Sequence, residues 1–322
     1  MNSPKILVVA IVLFLINSIL GNDCELKCGR RPDSQQRIMG GDISDEAKWP
    51  WVFELKGWNS CGEQFCTAQL IAPKFAISSA HCAFYNFYSC RPSNKTNYVE
   101  YNPSDLFLLK EDSTYLIKKF FVHPKYEENA NNNHLFEYDI MVLELLKEIE
   151  NEPVCLASLY NPYASKMHSE LLVGYGLHDP HSSSHDHKLR AVPVHMAEAG
   201  IGALGARCRA EWKAKARLCA GSANSGGLKA KARLCAGSAN SGGLKGDSGA
   251  GVNMDINHVN FFTHGVMSMY KDGSPSRHLI PDIYTPVAPF CAWIESLTSG
   301  SARCTNPYVK DPKCYTKDEK NF

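Results

Sequence analysis

The sequence has almost no charge imbalance and no long apolar run. Lys and Arg number 34 against 33 Asp and Glu, a net charge of +1. Lys5 is the single charged residue of the first 21, so the rest of the chain balances at 33 against 33. Nothing here favours nucleic acid or an anionic membrane surface, and neither is expected as a partner. A membrane span needs ~20 apolar residues in a row. The run 6–20 is shorter and is broken by Asn17 and Ser18. With Lys5 before it and Gly21 after it, residues 1–21 read as a cleaved secretory signal rather than an anchor. The mature chain is then extracellular, without a membrane contact.

A stacked solenoid is lacking too, although the chain does repeat. Residues 214–229 and 230–245 both read AKARLCAGSANSGGLK, identical at all sixteen positions. Two such copies are too few to stack. Perfect identity means a very recent duplication or an error in the sequence, and the second copy ends immediately before Gly246. The repeat also accounts for an odd cysteine count. Thirteen cysteines in a secreted chain read as a disulfide framework, and removing one copy leaves an even number.

From residue 38 the chain alternates short apolar runs with Gly, Pro, Asn and Asp, the pattern of an all-β protein. The spacing predicts strands at 51–55, 67–71, 75–79, 106–109, 116–123, 140–145, 171–175, 191–196, 261–269 and 283–287. A short helix is expected at 204–213. A closing helix is expected at 289–297, where Phe290, Trp293, Ile294 and Leu297 share one face and Gly300 can end it. The domain reading is a signal over 1–21, a pro-segment over 22–37, a catalytic domain over 38–298 and a polar tail over 299–322. Asn94-Lys95-Thr96 is a glycosylation acceptor in a loop-like stretch. His178, His181, His185 and His187 lie with Asp179 and Asp186 in a Ser-rich loop. His-x-His can bind zinc, but without visible preorganisation the cluster reads as solvated, and no metal or other cofactor is expected.

The chemistry is carried by three tetrapeptides: Ser79-Ala80-His81-Cys82, Tyr138-Asp139-Ile140-Met141 and Gly246-Asp247-Ser248-Gly249. A serine hydroxyl is a weak nucleophile until a neighbouring base takes its proton, and that base needs its tautomer fixed. Ser248, His81 and Asp139 supply those three parts, in the order His, Asp, Ser. Lipases and esterases normally carry theirs as Ser, Asp, His.

With Ile38-Met39-Gly40-Gly41 after Arg37, Trp49-Pro50-Trp51, Gly174-Tyr175-Gly176, Cys235-Ala236-Gly237, Ser268 and Tyr284-Thr285-Pro286-Val287, the chain resembles a trypsin/chymotrypsin-type (S1) serine protease over residues 28–298. The resemblance implies an all-β fold of two six-stranded antiparallel β-barrels with a C-terminal α-helix, His81 and Asp139 coming from the first barrel and Ser248 from the second. It implies a zymogen cut after Arg37 by an activating protease. The freed Ile38 amine would pair with Asp247 and set the Gly246 and Ser248 amides as an oxyanion hole. It implies Cys66–Cys82 and Cys28–Cys155 disulfides, the second tethering the pro-segment. Cys208 would pair with Cys219 or Cys235, and Cys61 with Cys90, while Cys24, Cys291, Cys304 and Cys314 stay unassigned.

Two departures touch the substrate pocket. Leu244 stands where a cysteine is expected, and Gly242 stands at the pocket base in place of an aspartate. Tyr270, after Ser268, replaces a glycine on one wall. Asp282 falls on the other wall, either as an acidic group for a basic P1 residue or as a solvated strand end. The expected function is a secreted serine endopeptidase on protein or peptide substrates, a monomer, with a protein inhibitor as a further partner. The alternative is a non-catalytic protease homologue that binds a partner protein, motivated by the repeat beside Ser248.

Overall fold

The computed structural model describes residues 26, 28–32, 42–59, 62–86, 98–126, 138–161, 170–178, 184–198, 234–237, 243–256, 260–270 and 282–308. From residue 28 onward these belong to the compact unit Lys27–Tyr308. Its strands are β1 (Asp42–Ile43), β2 (Val52–Asn59), β3 (Gly62–Ala72), β4 (Phe75–Ser78), β5 (Phe84–Asn86), β6 (Tyr98–Glu100), β7 (Leu106–Lys110), β8 (Ser113–Val122) and β9 (Met141–Leu145) in the first half. The second half adds β10 (Cys155–Ala157), β11 (Glu170–Gly174), β12 (Arg190–Glu198), β13 (Leu234–Gly237), β14 (Gly251–Ile256), β15 (Asn260–Met269), β16 (Asp282–Pro286) and β17 (Cys304–Thr305). The helix α1 (Cys291–Leu297) lies between β16 and β17. No helix among the described residues is long and apolar enough to cross a membrane.

The first barrel closes in the order β2-β3-β4-β9-β8-β7. The strand pleat, rather than any alternation in the sequence, sets its inside. In β7, Leu106, Leu108 and Lys110 are buried while Phe107 and Leu109 are only partly so, the period of two expected of a strand. Glu111, at φ 50°, lets the chain reverse in two residues from Lys110 to Ser113. The Lys110 ammonium spends its three protons on the carbonyls of Glu46, Trp49 and Val52, each at 3.0 Å.

In the second half β14, β11, β12, β13, β16 and β15 pair in sequence, and β14 pairs back to β15. That closed circuit of antiparallel strands is the second barrel. Parallel to β15 lies β10, and parallel to β10 lies β17. Within the duplicated segment, β13 is built from the second copy, with Leu234 opposite Tyr284 and Ala236 opposite Asp282.

An aromatic cluster joins the segment leading into β2 to the second barrel. Trp49 and Trp51, both fully buried, meet Phe261 of β15 at 5.2 and 5.7 Å between ring centroids. The predicted closing helix begins with a 3-10 turn over Ala288–Phe290, which accommodates Pro289, and becomes α-helical at Cys291. Its Phe290 and Ile294 are buried. The helix stops at Leu297: Ser299 follows the cap residue in the left-handed region at φ 50°, and the amide of the expected terminator Gly300 closes on the Glu295 carbonyl (2.9 Å).

Among the described residues three disulfides are formed: Cys66–Cys82, Cys28–Cys155 and Cys291–Cys304. The third pairs two cysteines for which the sequence suggested no partner. The expected helix 204–213, Asn94, Arg37, Ile38, Gly242 and the Cys61–Cys90 and Cys208 pairings lie outside the described residues.

Candidate active site

Asp139 follows a strained residue. Tyr138 sits at φ 56°, and the Ile140 amide closes back on the Tyr138 carbonyl at 2.7 Å. A left-handed non-glycine costs ~1–2 kcal/mol. Packing holds it there: the Tyr138 ring stacks on His123 at 5.1 Å and meets Phe290 edge-on at 6.2 Å. The tight turn aims the Asp139 carboxylate, fully buried, at the short helical turn Ala80–Ala83 that carries His81. The adjacent Cys82 is fixed to β3 by its bond to Cys66.

The two residues make two contacts. Asp139 Oδ2 lies 2.8 Å from His81 Nδ1, and Oδ1 accepts from the His81 backbone N–H at 2.9 Å. A ring Nδ1–H donating to the carboxylate leaves the basic lone pair on Nε2. Ser268 Oγ–H donates to the same Oδ2 at 2.5 Å. Burial opposes ionisation of Asp139, but the His81 ring and the hydrogen bonds from His81 and Ser268 outweigh it and hold the carboxyl below its ordinary value.

Ser248 stands in a turn that docks on the first barrel. The Ala250 amide bonds the Asp247 carbonyl (2.8 Å), the Gly249 amide bonds the Met267 carbonyl (2.8 Å), and the Ser248 carbonyl accepts from Thr67 N–H of β3 (2.7 Å). The same carbonyl is 4.0 Å from Cys82 Sγ, which places Ser248 beside the His81 turn. Gly249 is obligatory: at φ 87° a β-carbon there would sit 2.0 Å from the Thr67 carbonyl and 2.1 Å from Ser78 Oγ.

Thr67 was not singled out by its sequence, yet it holds three parts of the site. Beyond its backbone bond to Ser248, its hydroxyl donates to the Gly246 carbonyl (3.1 Å) and accepts from the Tyr175 amide (3.1 Å). Asp247 faces away from Ser248. Its carboxylate accepts from the Gly176 amide (2.8 Å) and the Leu244 amide (2.9 Å). A β-carbon on Gly176 would fall 2.2 Å from Asp247 Oδ2, so that approach requires glycine.

Of the pocket candidates, Ser268 and Asp282 are buried and Tyr270 is partly so. Asp282 is no solvated strand end: it is 5% exposed, and its Oδ2 accepts from the Gly243 amide at 2.6 Å. The anionic group therefore sits under the segment that leads to Ser248.

Among the described residues, two clusters have metal-ligand composition. In the first, Cys66, His81 and Cys82, the sulfurs are consumed by their own disulfide. The second, Glu54 with His185 and His187, departs from the solvated loop expected of the histidines, because the His185 side chain is only 6% exposed.

Residues 38–294 match the protein family described as Trypsin. The chain is 23% identical to ovochymase of Halocynthia roretzi over 264 residues, 80% of this chain and 15% of that protein. It is 31% identical to the suppressor of tumorigenicity 14 protein homolog of Bos taurus over 143 residues, 40% of this chain and 15% of that protein. It is 31% identical to atrial natriuretic peptide-converting enzyme of Rattus norvegicus over 142 residues, 41% of this chain and 11% of that protein. The chain thus spans 15% or less of the length of these relatives. With a family match over most of its length and two six-strand barrels, the chain belongs to the trypsin family of serine proteases.

Proposed function

We propose that the chain is a secreted serine endopeptidase, made as a zymogen and working through an acyl-enzyme on Ser248. The observation that carries the reading is the doubly bonded Asp139–His81 pair, which fixes the imidazole with Nδ1–H toward the carboxylate. His81 Nε2 takes the Ser248 proton as Oγ attacks the scissile carbonyl carbon. The carbonyl π pair moves onto oxygen, and the amides of Gly246 and Ser248 receive that oxyanion. When it collapses, the C–N bond breaks and His81 returns the proton to the leaving amine. Water, deprotonated by His81, then displaces Ser248 by the same route. These steps use side chains, backbone amides and water alone.

Activation follows from the position of Asp247. Cleavage after Arg37 frees the Ile38 amine, which joins the Gly176 and Leu244 amides around the buried Asp247 carboxylate. One charge desolvated alone is costly, and the pair is tolerable. The segment before the cut stays attached through Cys28–Cys155. It is further docked by Gly29 N–H on the Pro153 carbonyl (2.6 Å) and by the Arg31 guanidinium over the Trp49 ring (4.5 Å). The buried Asp282 carboxylate supports a basic P1 residue.

The test is fluorophosphonate labelling of the secreted chain after cleavage at Arg37. Labelling that disappears in Ser248→Ala supports the reading. A correctly cleaved, folded chain that stays unlabelled would replace it with a partner-binding, non-catalytic homologue.

A further inference from the structure

We propose that Glu54, His185 and His187 form a binding site for one divalent transition-metal ion of the zinc class, seated on the outside of the first barrel and beside Gly246. The inference does not depend on the catalytic reading, since it concerns a different set of side chains.

The starting point is a buried carboxylate. Glu54 lies on β2 and is 3% exposed. Removing a carboxylate from water is costly unless something positive or a strong donor meets it. What meets Oε1 is a pair of imidazole nitrogens: His187 Nδ1 at 2.8 Å and His185 Nδ1 at 3.6 Å. The two Nδ1 atoms are themselves 3.1 Å apart. Three donor atoms thus form a small triangle with edges of 2.8, 3.1 and 3.6 Å. Around tetrahedral zinc, with bonds of ~2.0–2.1 Å, neighbouring ligand atoms are ~3.3–3.4 Å apart. The observed edges bracket that spacing, so an ion fits over this face with shifts of a few tenths of an ångström. One carboxylate and two imidazoles suit zinc and leave a fourth position for water. His187, whose side chain is 42% exposed, keeps that position open to solvent.

Protons leave one ring atom of the cluster poorly met. The His187 backbone N–H donates to His185 Nδ1 at 3.2 Å, which makes that nitrogen an acceptor and puts the His185 proton on Nε2. Yet His185 Nε2 is buried without a well-formed hydrogen bond. A metal ion takes over the Nδ1 lone pair from the weak backbone contact, and Nε2–H stays free to serve as the outer-shell donor that metal-bound imidazoles present to a carbonyl. The Tyr175 carbonyl lies beside it: both that oxygen and His185 Nε2 fall within 3.4 Å of where a β-carbon on Gly246 would stand.

The ligands are also held in place, which a loop of solvated histidines would not be. His185 stacks on Phe65 with centroids 4.5 Å apart and planes 4° from parallel. Between the two histidines, Asp186 is gripped by the Arg190 guanidinium at 2.6 and 2.9 Å. His187 occupies the left-handed region at φ 54°, which turns its ring back toward the ring two residues earlier. Bond for bond, an ion here ties segment 184–190 to β2 and packs His185 against the Gly246 backbone.

The site is tested on full-length secreted protein carrying Ser248→Ala, so that no self-digestion interferes, stripped of metal and titrated with zinc chloride by calorimetry. One saturable site per chain with micromolar or tighter affinity is expected, with a zinc-dependent rise in Tm. His187→Ala removes a half-exposed ligand without opening the core; it is expected to weaken binding at least about tenfold and to abolish the Tm rise. Cobalt in place of zinc should give the visible absorption of a tetrahedral site, lost in the same variant. Absence of saturable zinc binding, or binding unchanged in both His187→Ala and the buried-side variant His185→Phe, would overturn the proposal. The triangle would then be a hydrogen-bonded network of Glu54 with the two rings.

Discussion

The Thr67 hydroxyl donates to the carbonyl oxygen of Gly246 while accepting from the amide of Tyr175, both at 3.1 Å. The hydroxyl joins the strand behind the candidate nucleophile to the two segments that flank it. Thr67→Val keeps the shape and removes both bonds, leaving a buried carbonyl and a buried amide unmet. The expected loss is about 1–3 kcal/mol in urea unfolding, with slower fluorophosphonate labelling. Thr67→Ser should recover most of both, and a valine variant as stable and reactive as the parent would remove the hydroxyl from the account.

Asp139→Asn should leave the fold intact and depress turnover by about 10⁴-fold, because an amide facing Nδ1 favours the wrong imidazole tautomer. The measurement is kcat on a peptide substrate, alongside the fluorophosphonate rate.

The same carboxyl predicts a pH effect on stability. Its folded-state value lies below the ordinary one, so the folded chain binds fewer protons there than the unfolded chain. Its contribution is complete above about pH 5 and is lost as pH falls through the lower folded value. Measured in a Ser248→Ala background between pH 2 and 6, Asp139→Asn should show a shallower decline in stability toward acid than its parent. Parallel curves would mean that the carboxylate gains nothing from its partners.

Asp282→Asn removes charge but keeps a carbonyl oxygen for the Gly243 amide, now bonded at 2.6 Å. Cleavage after Arg or Lys should fall about 10–100-fold in kcat/KM relative to cleavage after Phe, a change of ~1.4–2.8 kcal/mol. An unchanged ratio would move the specificity determinant elsewhere.

Deletion of residues 214–229 should leave the barrel standing, because the second copy supplies β13. Loop closure changes by only ~0.6 kcal/mol per doubling of length, so Tm should move by a few degrees at most. Failure of the shortened chain to fold would show that the first copy builds part of the structure.

The strands and the site motifs were legible because each rests on local signals: a short apolar run at 106–109, a one-sided apolar face over 289–297 with Gly300 beyond it, short tetrapeptides around His81, Asp139 and Ser248. What escaped rests on separation along the chain. The Glu54–His187 contact spans 133 residues, so the histidines looked solvated on their own. Thr67 in a strand reads as ordinary β-propensity, and its polar role appears only once Gly246, 179 residues away, is brought onto it. Cys291 and Cys304 could not be matched before α1 and β17 had places to pack. Asp282 reads as a strand-end charge until the Gly243 amide closes over it.

The three-residue strand β10 carries both ends of the described unit. Cys155, its first residue, is bonded to Cys28, and Leu156, its second, pairs with Cys304 of β17. Tension applied between residues 28 and 304 is therefore borne by one short strand and the covalent links beside it. The shortest mechanical path bypasses His81, Asp139 and Ser248, so pulling on the flanking polypeptide loads β10 and leaves those three residues slack.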